Sequence, residues 1–408
     1  MKPELLFLAH RIPYPPDRGD KIRSWHVLQH LGRHAKVHLA CFADDEADAA
    51  HLPALREAMQ GSLGEAFVAP INPNKLLWVA KAYSRRLTIN EAAMSSAGLQ
   101  RFVSRILADR PIAGLYAFSV QMARFVPAGF RRPFVMDLVD FDSAKYADYA
   151  RNGGLASRLV YEREARKMFA LEKATAARAD VSLFVSEAEA ALFRAEAKLP
   201  KADIRALSNG IDLDFYDPAA AFTPVEAPAG PLIVFTGQMD YRPNIEAVRA
   251  FAHDVMPLLR TACDAHFAIV GRRPDPSVRA LEGRDGIIVT GEVPDVRPWL
   301  AAASAVVAPL QIARGIQNKV LEAMAMARPV VASPGAFEGI DAIPGRDLQV
   351  ADSPEAQVDA LLGLFENHAQ AAAMGKAARA RMVERYSWAS QLAPLAAMLG
   401  LDSQRVAA

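Results

Sequence analysis

Between Ile316 and Ala327 the chain reads IQNKVLEAMAMA, an apolar run whose only charges are Lys319 and Glu322. Arg314 and Gly315 precede it, and an apolar segment ending near Leu310 comes before them. A helix opening at Gly315 leaves its first backbone N–H groups unpartnered and slightly positive, so that end favours an anion. Gly315 admits a close approach, Ile316 and Gln317 follow in the first turn, and Arg314 and Lys319 add cationic donors. Glu322 follows Lys319 by three residues, about two turns in, where a carboxylate accepts two hydrogen bonds from a vicinal diol. Diphosphate at the helix start and ribose one turn deeper is the demand of a nucleotide. The bland alternative is a surface ion pair contributing a few tenths of a kcal/mol. The apolar flank VLEAMAMARPVVAS argues against it, because a solvent-facing helix carries a polar stripe.

A second set of candidates lies early in the chain. RIPYPPDRGDKIRSW (11–25) combines Gly19 with Arg18, Lys21 and Arg23, a close-approach residue amid positive charge. VMDLVDFDSAKY (135–146) gathers Asp137, Asp140 and Asp142 at a strand end. Asp140 is the best candidate there to accept a hydrogen bond or a proton from a hydroxyl group. Asp-Phe-Asp also invites a metal reading, ranked lower because basic groups and a helix dipole can neutralise a diphosphate. Capping of the following helix by Asp142 or Ser143 is the structural alternative. His26, His30 and His34 recur every four residues, but no carboxylate or cysteine completes a ligand set nearby, so they read as a helix face. KLLWVAKAYSRRL (75–87) interleaves Trp78 and Tyr83 with Lys75, Lys81, Arg85 and Arg86, which suits either an anionic lipid surface or a core helix with snorkelling cations.

The elements that must position these groups are legible as alternation. Strand-like apolar runs cover 4–10, 36–42, 114–119, 133–140 and 181–186, and then 231–237, 266–271, 286–291, 305–310, 329–333 and 347–351, with helical stretches between. Continuous apolar runs joined by helical crossovers are the pattern of buried parallel strands. Three of the later runs end in glycine (Gly237, Gly271, Gly291) at the edge where open α/β sheets bind ligands. An Ala/Pro-rich stretch, 217–231, reads as a linker. The expected fold is α/β, with two doubly wound Rossmann-like domains facing across a cleft.

The chain's 408 residues suit two domains, and a composition 52% hydrophobic and 23% charged is that of a globular protein. A formal net charge of +1 gives no electrostatic argument for nucleic acid. Cys41 and Cys263 sit in apolar, strand-like contexts and form no metal-ligand pattern, which suits a reducing cytoplasm. The first apolar run is too short for a signal peptide or a membrane span. No G-x-G-x-x-G follows a strand, which disfavours a nicotinamide dehydrogenase.

GIQNKVLEAMAMARPVVAS resembles the donor-binding motif of family 4 retaining glycosyltransferases of the GT-B fold, in a subgroup associated with bacterial exopolysaccharide and PEP-CTERM gene clusters. In that family two glutamates eight positions apart bind the nucleotide sugar. Glu322 matches the second, which holds ribose, while Arg314 occupies the place of the first, which contacts the sugar. LSNGIDLDFYDP (207–218) is similar to the segment closing the N-terminal domain, where Asn209, Gly210 and Asp212 shape the interdomain turn. VFTGQMDYRPNIEAVRAF (234–251) resembles the phosphate loop, with Gly237, Gln238 in place of the usual Arg, and Arg242 as a candidate second cation. GEVPDVRPWLAAA (291–303) matches the segment whose backbone reads the base, through Glu292 and Val293. The Gly19 loop stands where relatives place a Gly-Gly loop, and YSW (386–388) precedes the last helix.

The resemblance implies an N-terminal acceptor-side domain over 1–212, rejoined by a C-terminal helix (386–408), and a donor-binding domain over 213–385. It implies transfer from a nucleoside diphosphate sugar to a hydroxyl acceptor, a lipid-linked or polysaccharide precursor, with retention and with no metal or other cofactor. Lys319, Arg242 and Asp140 are then the catalytic candidates. Donor binding falls to Gly19, Lys21, Gly237, Gln238, Gly271, Glu292, Val293, Arg314, Gly315, Ile316, Gln317 and Glu322 with Lys319 and Arg242. The expected setting is the cytoplasm, free or at the inner face of the cytoplasmic membrane, with no nucleic-acid partner. Two rivals stand: a GT-B epimerase or hydrolase acting on the nucleotide sugar, and an inactive donor-binding partner of an assembly complex.

Overall fold

A computed structural model describes residues 2–16, 18–152, 155–310 and 316–401. The chain divides into two compact units, one of Met1–Asn209 with the segment from Gln391 onward, the other of Gly210–Ser390.

Among the described residues the first unit is built on seven parallel strands: β1 (Glu4–Ala9), β2 (Lys36–Ala43), β3 (Leu63–Pro70), β4 (Ile112–Phe118), β5 (Phe134–Val139), β6 (Val181–Phe184) and β7 (Ile204–Ala206). They lie in the order β3-β2-β1-β4-β5-β6-β7. Leu5 to Ala9 of β1 and Val37 to Ala43 of β2 are buried without interruption, as expected of strands covered on both faces. The register pairs Leu6 with His38 and Leu115, and Ala9 with Cys41 and Phe118. Helix α1 (Gly19–His34) follows β1, and α2 (Lys75–Ser84) follows β3. Helices α3 (Asp142–Asn152) and α4 (Leu155–Ala176) follow β5.

The second unit repeats the plan with β8 (Leu232–Thr236), β9 (His266–Val270), β10 (Ile287–Gly291), β11 (Ala305–Ala308), β12 (Val330–Ala332) and β13 (Gln349–Val350), ordered β10-β9-β8-β11-β12-β13. Each of these strands has a matching apolar run in the sequence. Helix α5 (Arg242–Ala250) follows β8 and α6 (Asn318–Ala325) follows β11. After this unit the chain returns to the first, where α7 (Pro394–Met398) ends near β4. A Cβ on Gly114 would meet the Leu399 carbonyl at 3.2 Å, so β4 keeps a glycine there.

Strand order reverses between β1 and β4 in the first unit and between β8 and β11 in the second. Such reversals open a crevice at the carboxyl edge of the sheet, where ligands of doubly wound folds bind. Both candidate clusters sit on these edges.

The fold corrects several expectations. β3 and β7 are strands that the apolar runs do not single out. Cys263 lies at the C-terminal end of a helix (Met256–Ala262), half-buried, and only Cys41 belongs to a strand. Residues 217–231 hold no helix or strand, open in a turn closed by the Ala220 N–H on the Asp217 carbonyl, and belong to the second unit, and the boundary between the units falls at Asn209 and Gly210. Here Asn209 accepts a hydrogen bond from Arg23, and a Cβ on Gly210 would come within 2.5 Å of the Trp388 backbone.

Candidate functional site

Helix α6 begins at Asn318 and not at Gly315, with Gln317 at its cap. Arg314 and Gly315 lie outside the described residues. Ala, Leu, Met, Lys and Glu favour helix here, and the chain leaves it through Ala327 at φ 53°, two residues ahead of Pro329. Val320, Leu321, Ala323 and Met324 are buried, which fixes the helix against the sheet. Lys319 is therefore the second helical residue and Glu322 the fifth, both in the opening turns and both partly buried.

Lys319 Nζ donates to Asn244 Oδ1 at 2.5 Å and lies 4.2 Å from the centre of the Phe235 ring. Among the described residues it makes no ion pair. Burial lowers its pKa to about 8, and the nearby charge of Glu322 opposes that only in part. Asn244 is itself buried and donates from Nδ2 to the Gln238 carbonyl at 2.8 Å. The glycine between these elements has a steric reason: a Cβ on Gly237, at φ 157°, would sit 2.8 Å from Asn244 Nδ2 and 3.3 Å from Lys319 Nζ. Gly271 serves packing, since a Cβ there would overlap the Gly237 carbonyl oxygen. Close approach of backbone to backbone is sufficient reason for that glycine.

Burial raises the pKa of Glu322, while the neighbouring Tyr216 hydroxyl and the Lys319 charge favour its ionised form. Arg379 anchors this corner: its Nη1 donates to the Tyr216 carbonyl at 2.8 Å and to the Ala325 carbonyl at 2.6 Å. Carboxylate and ammonium are thus brought together on α6, at the carboxyl edge of β8 and β11. The other expected donor residues are placed as follows. Ile316 and Gln317 precede α6, Gln238 and Glu292 are exposed, and Val293 is partly buried beside the apolar core. Arg242 opens α5 with its side chain 86% exposed and pairs with Glu246 at 2.7 Å. The α5 side chain that touches Lys319 is Asn244, a neutral residue that spacing and charge do not flag.

The first unit's carboxyl edge is arranged differently. Asp20 in the first turn of α1 accepts from Arg11 at 2.9 Å, lies 3.2 Å from His10 Nε2 and pairs with Arg18 at 3.0 Å. Burial pushes its pKa up, but His10, Arg11 and Arg18 together hold it well below the usual carboxylate range. Arg11 and Arg18 also reach Asp44, at 3.0 and 2.9 Å. Lys21 is buried and bound to Asp48 at 2.6 Å. Arg23 is wholly interior: Nε donates to Asp137 Oδ2 at 2.9 Å and Nη1 to Asn209 Oδ1 at 2.9 Å, while the Tyr116 hydroxyl donates to Asp137. Both Lys21 and Arg23 are thus engaged by carboxylates of their own unit. Gly19 is exposed, with nothing within 4 Å of a Cβ built on it.

At the end of β5, Val139 has φ 69°, a left-handed conformation that a β-branched residue adopts only when its surroundings impose it. The Val139 N–H donates to Asp137 Oδ1 at 3.1 Å, and the Val139 carbonyl accepts from the Val185 N–H at 2.6 Å. This turn brings out Asp140, whose carboxylate pairs with Lys145 at 2.5 Å. Lys145 is visible in the sequence as the basic residue of DSAKY, but spacing alone does not pair it with Asp140. Among the described residues no group of three or more His, Cys, Asp or Glu is set to hold a metal. His30 is buried, its ring 5.0 Å from that of His34, and burial pushes its pKa down to about 4, so it is neutral.

Residues 230–367 match the family model described as glycosyl transferases group 1. No curated protein sequence matches the chain. Among solved structures, sucrose-phosphate synthase from Thermosynechococcus elongatus superposes with a TM-score of 0.63 at 17% identity, over 100% of both chains. HepE from Anabaena, solved in complex with UDP, gives 0.61 at 16% identity, covering 98% of this chain and 100% of its own. TarM gives 0.59 at 12%, covering 98% and 99%. At such identities the likeness establishes the fold, which is GT-B. The second unit carries a glycosyl transferases group 1 domain, and this marks the chain as a glycosyltransferase.

Proposed function

We propose that the chain transfers a sugar from a nucleoside diphosphate sugar to a hydroxyl of a lipid-linked or polysaccharide precursor in exopolysaccharide synthesis, with retention of configuration and without a metal. One observation carries the donor assignment. Lys319 is a partly buried cation at a helix N-terminus, held by an amide oxygen and an aromatic face and with no ion-pair partner among the described residues. A diphosphate supplies the missing negative charge, and Lys319 stabilises it as the bond to the sugar breaks. Asn244 positions the ammonium, taking the part expected of Arg242. Glu322 receives the ribose hydroxyls. Asp140 meets the sugar or the acceptor hydroxyl, its charge balanced by Lys145. The UDP bound by HepE supports a nucleoside diphosphate as the leaving group.

The test is incubation of the purified chain with a panel of nucleotide sugars and a membrane lipid extract. Donor-dependent labelling of a lipid or glycan is expected. Epimerised or hydrolysed donor with no labelled acceptor would point to the isomerase or hydrolase rival, and binding without turnover to an inactive subunit. Lys319→Ala should lower turnover about 100- to 1000-fold, the loss typical of removing one preorganised group from a charge-developing site. Its thermal unfolding should match that of the parent. Turnover within about threefold of the parent would remove Lys319 from the chemistry.

A further inference from the structure

We propose that α2 and the adjoining start of α4 form a docking surface that lies on an anionic lipid bilayer. Leu76, Val79, Ala80 and Tyr83 recur at i, i+3, i+4 and i+7, the spacing of a single apolar stripe on a helix. On an ordinary surface helix that stripe turns inward. Here it faces solvent: Leu76 is 81% exposed, Tyr83 51% and Val79 40%, with Leu77 beside them at 53%. The inward face is instead made by Ala82, which is buried, with Trp78 and Lys81. Trp78 Nε1 donates to the Asn72 carbonyl at 2.7 Å, and Lys81 donates to the Ser95 hydroxyl. The helix is therefore anchored through Ala82 and Lys81 and shows its apolar stripe outward.

The surface continues onto α4. Arg163 stacks on the Tyr83 ring at 4.2 Å and donates to the Ala82 and Leu87 carbonyls at 3.0 and 2.9 Å. One turn earlier on α4, Leu159 is 71% exposed and Val160 is 38% exposed. Two helices thus share one outward apolar face.

Charge selects the occupant. Lys75 at one end of α2 and Arg85 and Arg86 just past the other are exposed, and no Asp or Glu occurs from 72 to 90. In a chain of formal net charge +1 this is a local concentration of cations. Apolar side chains between cations with long aliphatic stems match a bilayer of anionic headgroups, into which the stripe sinks while the cations stay at headgroup level. The attachment lies on the membrane and does not span it, since α2 has ten residues and no helix among the described residues is long and apolar enough to cross. The proposal is independent of the donor assignment, because its assay involves no sugar transfer.

The experiment is co-sedimentation of the full chain with vesicles of phosphatidylglycerol and phosphatidylethanolamine, against vesicles of phosphatidylcholine alone. Binding to the first and not the second is expected, weakening as salt is raised. Leu76→Gln, Leu77→Gln and Val79→Gln combined should lower partitioning at least about tenfold without shifting the unfolding temperature, since these side chains are exposed. Arg85→Gln with Arg86→Gln should lower it about 25-fold, at about fivefold per basic residue near the surface. Failure of the parent chain to sediment with the anionic vesicles would overturn the proposal, as would full binding by the triple variant. Light scattering gives a third arm: a parent dimer that the triple variant converts to a monomer would assign the face to a second copy of the chain and overturn the membrane reading.

Discussion

The two carboxyl edges begin from similar ingredients and end in opposite electrostatic states. Each follows a central strand of a parallel sheet, and each carries basic side chains. In the first unit Arg11, Arg18, Lys21, Arg23 and Lys145 all bind carboxylates of the same unit. In the second, Lys319 binds an amide oxygen and an aromatic face. A cation with a carboxylate in place has little left for a ligand. A desolvated cation with no ion pair among the described residues is poised for an anion, and burial lowers its pKa more than the nearby Glu322 charge raises it. This contrast is what supports the proposed diphosphate site at the second edge, and it makes the first edge's cations architectural in that proposal.

The largest test of this contrast lies in the first unit. If Arg23 is architectural, Arg23→Ala should destabilise the chain by about 3–5 kcal/mol, because Asp137 is left charged and buried without its partner. Urea unfolding followed by circular dichroism measures it. UDP affinity, read without urea at a temperature where the variant is folded, should stay close to the parent's. A loss below about 1 kcal/mol, or a stable variant that no longer binds UDP, would put Arg23 among the ligand-binding groups and dissolve the contrast.

In the second unit the corresponding test removes charge and keeps shape. Glu322→Gln should weaken UDP binding about 10- to 100-fold, the range for losing hydrogen bonds to a charged group, with a smaller effect on turnover at saturation. Calorimetric titration reads the affinity. Unchanged affinity would sink the ribose assignment.

The alternation of strands and helices is legible because parallel strands buried on both faces must be apolar throughout. β3 escapes because Gly64 and Glu65 interrupt its run, and β7 because it has only three residues. Lys319 and Glu322 stand out because a charge in a buried helix must answer either to a partner or to a ligand. Arg23 reads as a ligand for an outside anion because its partner Asp137 lies 114 positions away, a distance over which spacing says nothing. Asn244 is easy to pass over because a neutral amide has no charge to attract notice, whereas Arg242 two residues earlier does. On α2 the period of the apolar stripe is plain, but periodicity states only that a helix has two faces. Which one turns outward is decided by contacts made elsewhere in the fold.

A finer test uses protons. Burial holds the Lys319 pKa at about 8. A bound diphosphate favours the ammonium and moves that pKa upward, so binding near pH 8 takes up part of a proton. UDP affinity should accordingly be complete below pH 8 and decline as pH rises through 8 towards the bound value. Calorimetry at pH 8 in two buffers of different ionisation enthalpy should show uptake of about half a proton, absent in Lys319→Met. Buffer-independent heats, or the same uptake in the variant, would assign the titration elsewhere.

The smallest expected effect concerns Arg242, and it is informative because the sequence and the fold disagree about it. By position after β8 it is the natural second cation for a diphosphate. In the fold its side chain is 86% exposed and bound to Glu246 one turn along α5, an arrangement that contributes only a few tenths of a kcal/mol. Arg242→Ala should therefore change the donor KM by less than about twofold and leave kcat unaltered, since a solvent-screened pair adds little to binding. Asn244→Ala, two residues further on, should raise KM and lower kcat together, because it releases the Lys319 ammonium from its position. If Arg242→Ala proved the more damaging of the two, the arginine would have to leave Glu246 and swing onto the diphosphate when donor binds. The second edge would then be completed by its ligand, while the first remains complete in itself.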